Sequence, residues 1–174
     1  MFQPMFQPMF QPVSEQIAST RITIEHVTLR SSNTFEAVRS ALEASVPPLD
    51  HAYAEFLRDG KVDAARALLE RQAPLSIFGA RDHGGLLLTA GLTRKAIQYD
   101  IGNPLTAARM TRHVLSAALY APIRVLLRED AEGGVAFEYD RPVATFGQFG
   151  DPDVDAVAAG LDDQLRGVLV AAAA

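Results

Sequence analysis

The sequence predicts an α+β fold, an antiparallel sheet of about five strands with helices packed on one face. Three observations carry this. Several short segments of the C-terminal half alternate apolar with polar residues, the period of a half-buried strand. Apolar stripes at helical spacing lie between and around those segments. Gly133-Gly134 joins two of the alternating segments at hairpin distance.

The chain opens with MFQP read three times over. Proline at every fourth position blocks a helix and removes a ladder donor each time. Residues 1–20 are therefore expected to be an extended low-complexity tail, and residues 21–174 a single α+β domain. Each copy also begins with Met, as a reiterated start region would.

From Arg21, the residues Ile22, Ile24, Val27 and Leu29 alternate with Thr23, Glu25 and Thr28, which predicts a first strand with an irregularity near His26. Asn33 with Glu36 has the spacing of a capping box, and Phe35, Val38 and Leu42 make the stripe of the helix that follows. Pro47-Pro48 ends it. Tyr53, Phe56 and Leu57, then Val62, Ala65, Leu68 and Leu69, predict two short helices broken at Asp59-Gly60 and closed by Pro74.

The strands follow. "LSIFGA" (Leu75 to Ala80) is an apolar run, and "KAIQYDI" (Lys95 to Ile101) sends Ile97, Tyr99 and Ile101 to one face. After Gly102-Asn103-Pro104, a helix is predicted from Thr106 to about Leu119, with Ala107, Met110, Val114 and Ala118 on its apolar side. Pro122 opens "IRVLLRED", which Gly133-Gly134 turns back into "VAFEYD". If Val125 faces Tyr139 and Leu127 faces Phe137, Arg124 falls opposite Asp140 as a cross-strand charge pair on the other face. The last helix starts at "DPDVDAV", with Asp151 as cap, Pro152 in the first turn and acids facing the helix dipole. Val154, Val157, Leu161, Leu165 and Val168 are its stripe, and Gly160 predicts close approach to another backbone.

Composition removes several functions. A chain of 174 residues can build one core without staples, and without cysteine it has no disulfide, no thiolate nucleophile and no Cys-built zinc, haem or iron–sulfur site. The net charge is −5, the arginines are scattered from Arg21 to Arg166, and there is no tryptophan, so no nucleic-acid partner is expected. The N-terminus has no signal-peptide succession and the chain no membrane-length apolar run; a soluble cytoplasmic protein without a membrane partner is expected. The four histidines, at 26, 51, 83 and 113, lack His-x3-His or HExxH spacing. "GARDHGG" lacks the Lys-Ser/Thr of a phosphate loop, Ser76 and Ser116 lack a nucleophile elbow, and no GxGxxG opens a helix after a strand. No cofactor and no metal are expected.

Six residues remain as candidates. His83 sits in "FGARDHGG", where an imidazole that titrates near neutrality precedes two glycines open to close ligand approach. Adjacent side chains on extended chain point to opposite faces, so Asp82 is not placed to orient it, and Asp-His-Gly-Gly is also ordinary turn chemistry. Tyr99 is the second catalytic candidate, able to polarise a carbonyl beside His83. Asn103, Tyr120, Arg124 and Tyr139 are the candidate ligand-binding residues; Asn before Pro also fixes its own turn, and strand tyrosines also pack in cores.

"IQYDIGNPLTAARM", "AALYAPIRVLLRED" and "FEYDRPVATFGQF" together resemble the bacterial and archaeal domain-of-unknown-function family 302, over about Leu75 to Val168 and more weakly back to Arg21. Gly-Asn-Pro after a strand, Tyr-Ala-Pro before the next and the Tyr-Asp-Arg-Pro exit carry the likeness. The resemblance implies a fold like that of the TATA-binding protein, of one strand, a helix, four strands and a last helix, often as a homodimer. Two departures stand out. Pro48 to Pro74 is longer and more helical than in compact members, and Gly-Gly follows His83 where many relatives have an Ala-rich turn.

Two functional readings follow. One is a small-molecule-binding or interaction domain, dimeric, taking a mainly apolar ligand in a cleft between sheet and helices. The other is a cofactor-independent cyclase, isomerase or lyase acting on an activated carbonyl compound, with His83 as general acid or base and Asn103, Tyr99 or Tyr139 polarising the carbonyl. They divide on whether His83 points into the cleft beside a second polar group.

Overall fold

The computed structural model describes residues 18–174, so the MFQP repeats lie outside the described residues. Five strands form one antiparallel sheet: β1 (His26–Ser31), β2 (Ser76–Asp82), β3 (Ala96–Gly102), β4 (Ile123–Glu129) and β5 (Val135–Asp140), in the order β1-β5-β4-β3-β2. The helices are α1 (Phe35–Ser45), α2 (Ala52–Arg58), α3 (Val62–Glu70), α4 (His83–Leu87), α5 (Pro104–Thr111), α6 (Pro142–Gly147) and α7 (Pro152–Ala173). This is the α+β class with the antiparallel sheet that the alternation predicts.

The β4–β5 hairpin has the expected register, with Val125 opposite Tyr139 and Leu127 opposite Phe137. That register sorts the sheet into two faces. Tyr99, Ile101, Val125, Leu127, Phe137 and Tyr139 are buried in one cluster with Phe35, Val38 and Leu42 of α1, Met110 of α5, Phe146 of α6 and the stripe of α7. Each such large side chain contributes roughly 1.5–3 kcal/mol relative to exposure. Their neighbours in sequence, among them Gln98, Asp100, Arg124, Glu138 and Asp140, alternate to the opposite face, where they are half-buried or exposed.

Both edges of the sheet show how local sequence ends a ladder. At the β2 edge, the Ile77 N–H donates to Pro47 O and the Leu49 N–H to Ile77 O, both at 2.9 Å, so the Pro47-Pro48 segment covers an edge that would otherwise be open. At the other edge, β1 begins at His26 rather than near Arg21. The ladder with β5 stops at His26 opposite Asp140 because Arg141-Pro142 leaves the sheet and starts α6, and proline has no N–H to continue it. Residues 21–25 therefore run beside the sheet without belonging to it.

Three other expectations are corrected. The cap of α1 is Thr34, whose hydroxyl accepts from the Ala37 N–H at 3.3 Å, while the Asn33 N–H donates to Ser31 Oγ. The helix expected over 106–119 splits: Val114 is extended, at φ −129° and ψ 101°, so α5 ends at Thr111 and Leu115–Tyr120 forms a 3₁₀ segment that buries Ala117 instead of Ala118. Gly160 lies on the exposed side of α7 with no atom within 4 Å of where a Cβ would be, so no backbone approaches it.

Candidate functional site

The stretch Asp82-His83-Gly84-Gly85 begins a helix. β2 continues through Asp82, whose carboxylate accepts from the Gly85 N–H at 2.8 Å and so caps α4. Gly84 is buried where α4 crosses the start of β3. A Cβ there would stand 2.6 Å from Arg94 O and 2.8 Å from Ala96 N, so the glycine serves backbone packing. The His83 imidazole is exposed, with Nε2 3.0 Å from Gln98 Oε1. It borders a shallow hollow of ≈ 480 Å³ on the open sheet face, together with His26, Arg124, Glu138 and Asp140.

Tyr99 lies on the other face. Its hydroxyl donates to Glu43 Oε1 of α1 at 2.8 Å, and Arg39 Nε donates to the same oxygen at 3.0 Å. Burial first, and then the Glu43 carboxylate, push the Tyr99 hydroxyl well above the usual tyrosine range. Tyr139 is also buried against the helices, and burial followed by the nearby Asp162 carboxylate raises it too. The sheet thus separates His83 from Tyr99, and Tyr139, though it borders the same hollow, is buried in the core; neither hydroxyl is positioned to share a substrate atom with His83.

Asn103 is engaged within the fold. Its Oδ1 accepts from the Leu105 and Thr106 N–H groups, at 2.8 and 3.2 Å, as the cap of α5, and its Nδ2 donates to Pro74 O at 3.1 Å. The small apolar cavity beside it, between β3, β4, α5 and α7, measures only ≈ 60 Å³. That space is well below the roughly 300 Å³ at which ligand pockets start.

Tyr120 and Arg124 do come together. A groove of ≈ 550 Å³ opens at the end of the sheet where β3 and β5 finish and β4 begins, flanked by α6 and the 3₁₀ segment. Apolar side chains make much of its wall: Ile22 and Ile24 from the segment before β1, Leu119, Pro122 and Ile123. Ile22, Ile24 and Leu119 are 40%, 46% and 80% exposed, although side chains of this kind usually find cover. The Tyr120 ring packs edge-on against Phe146 and Phe149, and its hydroxyl reaches Gln148 Oε1 at 3.4 Å, a long bond. Thr145, also in the wall, is buried, and its hydroxyl has no hydrogen-bond partner among the described residues.

The charges around the groove form a row across the strands. Asp100 Oδ2 is 2.8 Å from Arg81 Nη1, and Asp140 Oδ1 is 3.0 Å from His26 Nδ1. Arg124 stands between these carboxylates, opposite Asp100 in the β3–β4 register. The expected Arg124–Asp140 pair does not form: Asp140 faces the His26 imidazole, Asp100 pairs with Arg81, and among the described residues Arg124 has no ion-pair partner. Period-two reading could place Arg124 on the open face, but Ile22, Ile24, Leu119 and Thr145 join it only through tertiary folding.

The segment carrying Ile22 and Ile24 is held by a clamp. Arg141 Nη2 is 2.8 Å from Oδ2 of Asp162, buried on α7, and Arg141 Nη1 lies 3.1 Å from both Glu25 oxygens. The two carboxylates, Asp162 first, keep the guanidinium firmly protonated. Elsewhere, His113, Asp151 and Asp153 bring potential metal-ligand atoms within 4.8 Å of one another at the start of α7, although Asp151 is already its cap. Among the described residues, no helix is long and apolar enough to cross a membrane.

Among curated proteins, none matches the chain. The fold is similar to that in a crystal structure of an uncharacterized conserved DUF302 protein from Bacillus stearothermophilus, with a TM-score of 0.62 over 84% of this chain and 97% of that one, at 16% identity. That likeness speaks for the fold alone. The family model of the domain of unknown function DUF302 matches residues 59–172, which takes in β2 to β5, α3 to α7 and the polar wall of the groove. On that match, the chain belongs to the DUF302 family.

Proposed function

We propose that this chain is a binding module for a mainly apolar small molecule, held in the groove between the end of the sheet and the short helices. The observation that carries the reading is the groove's makeup. Exposed Ile22, Ile24 and Leu119 line ≈ 550 Å³ beside a few convergent polar groups, the composition of a small-molecule site. Burying that apolar surface under a ligand is favourable by roughly 25 cal/mol per Å². The test is a titration of the full chain with 1-octanol, followed by methyl NMR. Shifts centred on the Ile22, Ile24, Leu119 and Ile123 methyls are expected, and a spectrum unmoved at millimolar octanol would reject the reading.

Self-association as a homodimer belongs to the same reading. The connection from β2 to β3 carries Leu86 and Leu88, 64% and 63% exposed, within an uncharged run from Gly84 to Thr93. Such a run is better suited to a protein contact than to water. Catalysis by His83 has no comparable support: among the described residues its hydrogen-bonding partner is Gln98, Tyr99 lies across the sheet, and Tyr139, though it borders the same hollow, is buried in the core.

A further inference from the structure

We propose that the groove's ligand is a monocarboxylic acid, its carboxylate on Arg124 and its apolar body along Ile22, Ile24 and Leu119. This rests on the binding reading given above and names the chemistry of the ligand. Two polar groups of the groove are open to donate to a ligand. Arg124 presents an exposed guanidinium with no ion-pair partner among the described residues, and the Tyr120 hydroxyl has only its long bond to Gln148. An ionised carboxylate only accepts, and its planar pair of oxygens matches the guanidinium fork.

The carboxylates in the same wall narrow the choice further. Asp100 and Asp140 each have one oxygen engaged, by Arg81 Nη1 and by His26 Nδ1, and both stand in the row that holds Arg124. They also stand on either side of Arg124, so a dianion such as a phosphate monoester would meet more like-charge repulsion than a monoanion does. A single negative charge on an apolar body fits the unpaired guanidinium and the carboxylates that flank it.

Three probes of equal chain length separate the possibilities: octanoate, 1-octanol and octylamine, each titrated into the full chain at neutral pH and read at the groove methyls. Octanoate is expected to bind about tenfold tighter than octanol, the worth of one charge-assisted contact in a partly wet site. Arg124→Met should remove that preference, and Arg124→Lys should restore part of it. Arg124 is exposed, so neither substitution disturbs the core. Equal binding of octanoate and octanol, tighter binding of octylamine, or a preference that survives Arg124→Met would each overturn the carboxylate assignment while leaving the groove a binding site. Failure of all three probes to bind would overturn both.

Discussion

The Tyr99 hydroxyl donates to Glu43 at 2.8 Å, tying the buried face of β3 to α1. A residue that looks like a candidate acid in the sequence is thus a fastening between the sheet and a helix. Tyr99→Phe should cost about 1 kcal/mol, the net worth of such a bond after allowance for the partial exposure of Glu43. Burial acts to raise the Glu43 carboxyl, but the bonds from Tyr99 and Arg39 outweigh it and hold the group below its usual value. A carboxylate so lowered stabilises the fold above its unfolded-state pKa, and the gain is lost as pH falls through the folded value. Urea unfolding should show the gap between wild type and Tyr99→Phe at pH 7 and a smaller gap in acid. A gap independent of pH would contradict the role given to Glu43.

Gly84 makes a different kind of demand. A methyl group there would overlap the backbone at Arg94 and Ala96, at 2.6 and 2.8 Å, where no side chain can swing away. Gly84→Ala should therefore destabilise by about 2 kcal/mol or more, as overpacking does. Gly85→Ala meets only the Asp82 side chain and should cost less. Equal melting points for the two variants would show that α4 does not press on β3 in this way.

Arg141 links Asp162 on α7 to Glu25 before β1. Arg141→Met leaves the Asp162 carboxylate buried without its cation, so stability should fall clearly at neutral pH, and adding Asp162→Asn should recover much of the loss. A double-mutant cycle with zero coupling would dismiss the clamp. Because Glu25 adjoins Ile24, Glu25→Ala should weaken octanol binding more than it lowers the melting temperature.

The buried hydroxyl of Thr145 has no hydrogen-bond partner among the described residues. Thr145→Val keeps the shape and removes that group, so stability should be unchanged or slightly higher. The same variant should bind octanoate as the wild type does, because the hydroxyl lies below the groove surface. A clear drop in melting temperature would mean that the hydroxyl has a partner inside the fold.

Light scattering tests the homodimer. At micromolar concentration the wild type should have twice the mass of the chain, and a Leu86→Glu/Leu88→Glu variant the mass of one copy. A wild type of single-chain mass would contradict self-association through any surface.

Much of the fold could be read locally. The alternation in "IRVLLRED" and "VAFEYD" with Gly133-Gly134 between them determines a hairpin register, because a slip of one residue would expose Val125, Leu127, Phe137 and Tyr139 together. The Asp151-Pro152 start of α7 is equally local. What could not be read depends on distant partners. Nothing in "RITIEHV" says that the ladder will stop at His26, because the cause, Pro142, lies more than a hundred residues away. The candidate site divides in the same way. Tyr120 and Arg124 are brought together, whereas His83, Tyr99 and Tyr139 fall on two faces of the sheet, and Asn103 is spent on capping α5.

Intermolecular NOEs between octanoate and the methyl-labelled chain test the central claim most directly. The account predicts contacts from the octanoate chain to the methyls of Ile22, Ile24 and Leu119, with the carboxylate end at Arg124. Contacts to the leucines at 86 and 88 in their place, or to no methyl of the groove, would contradict it.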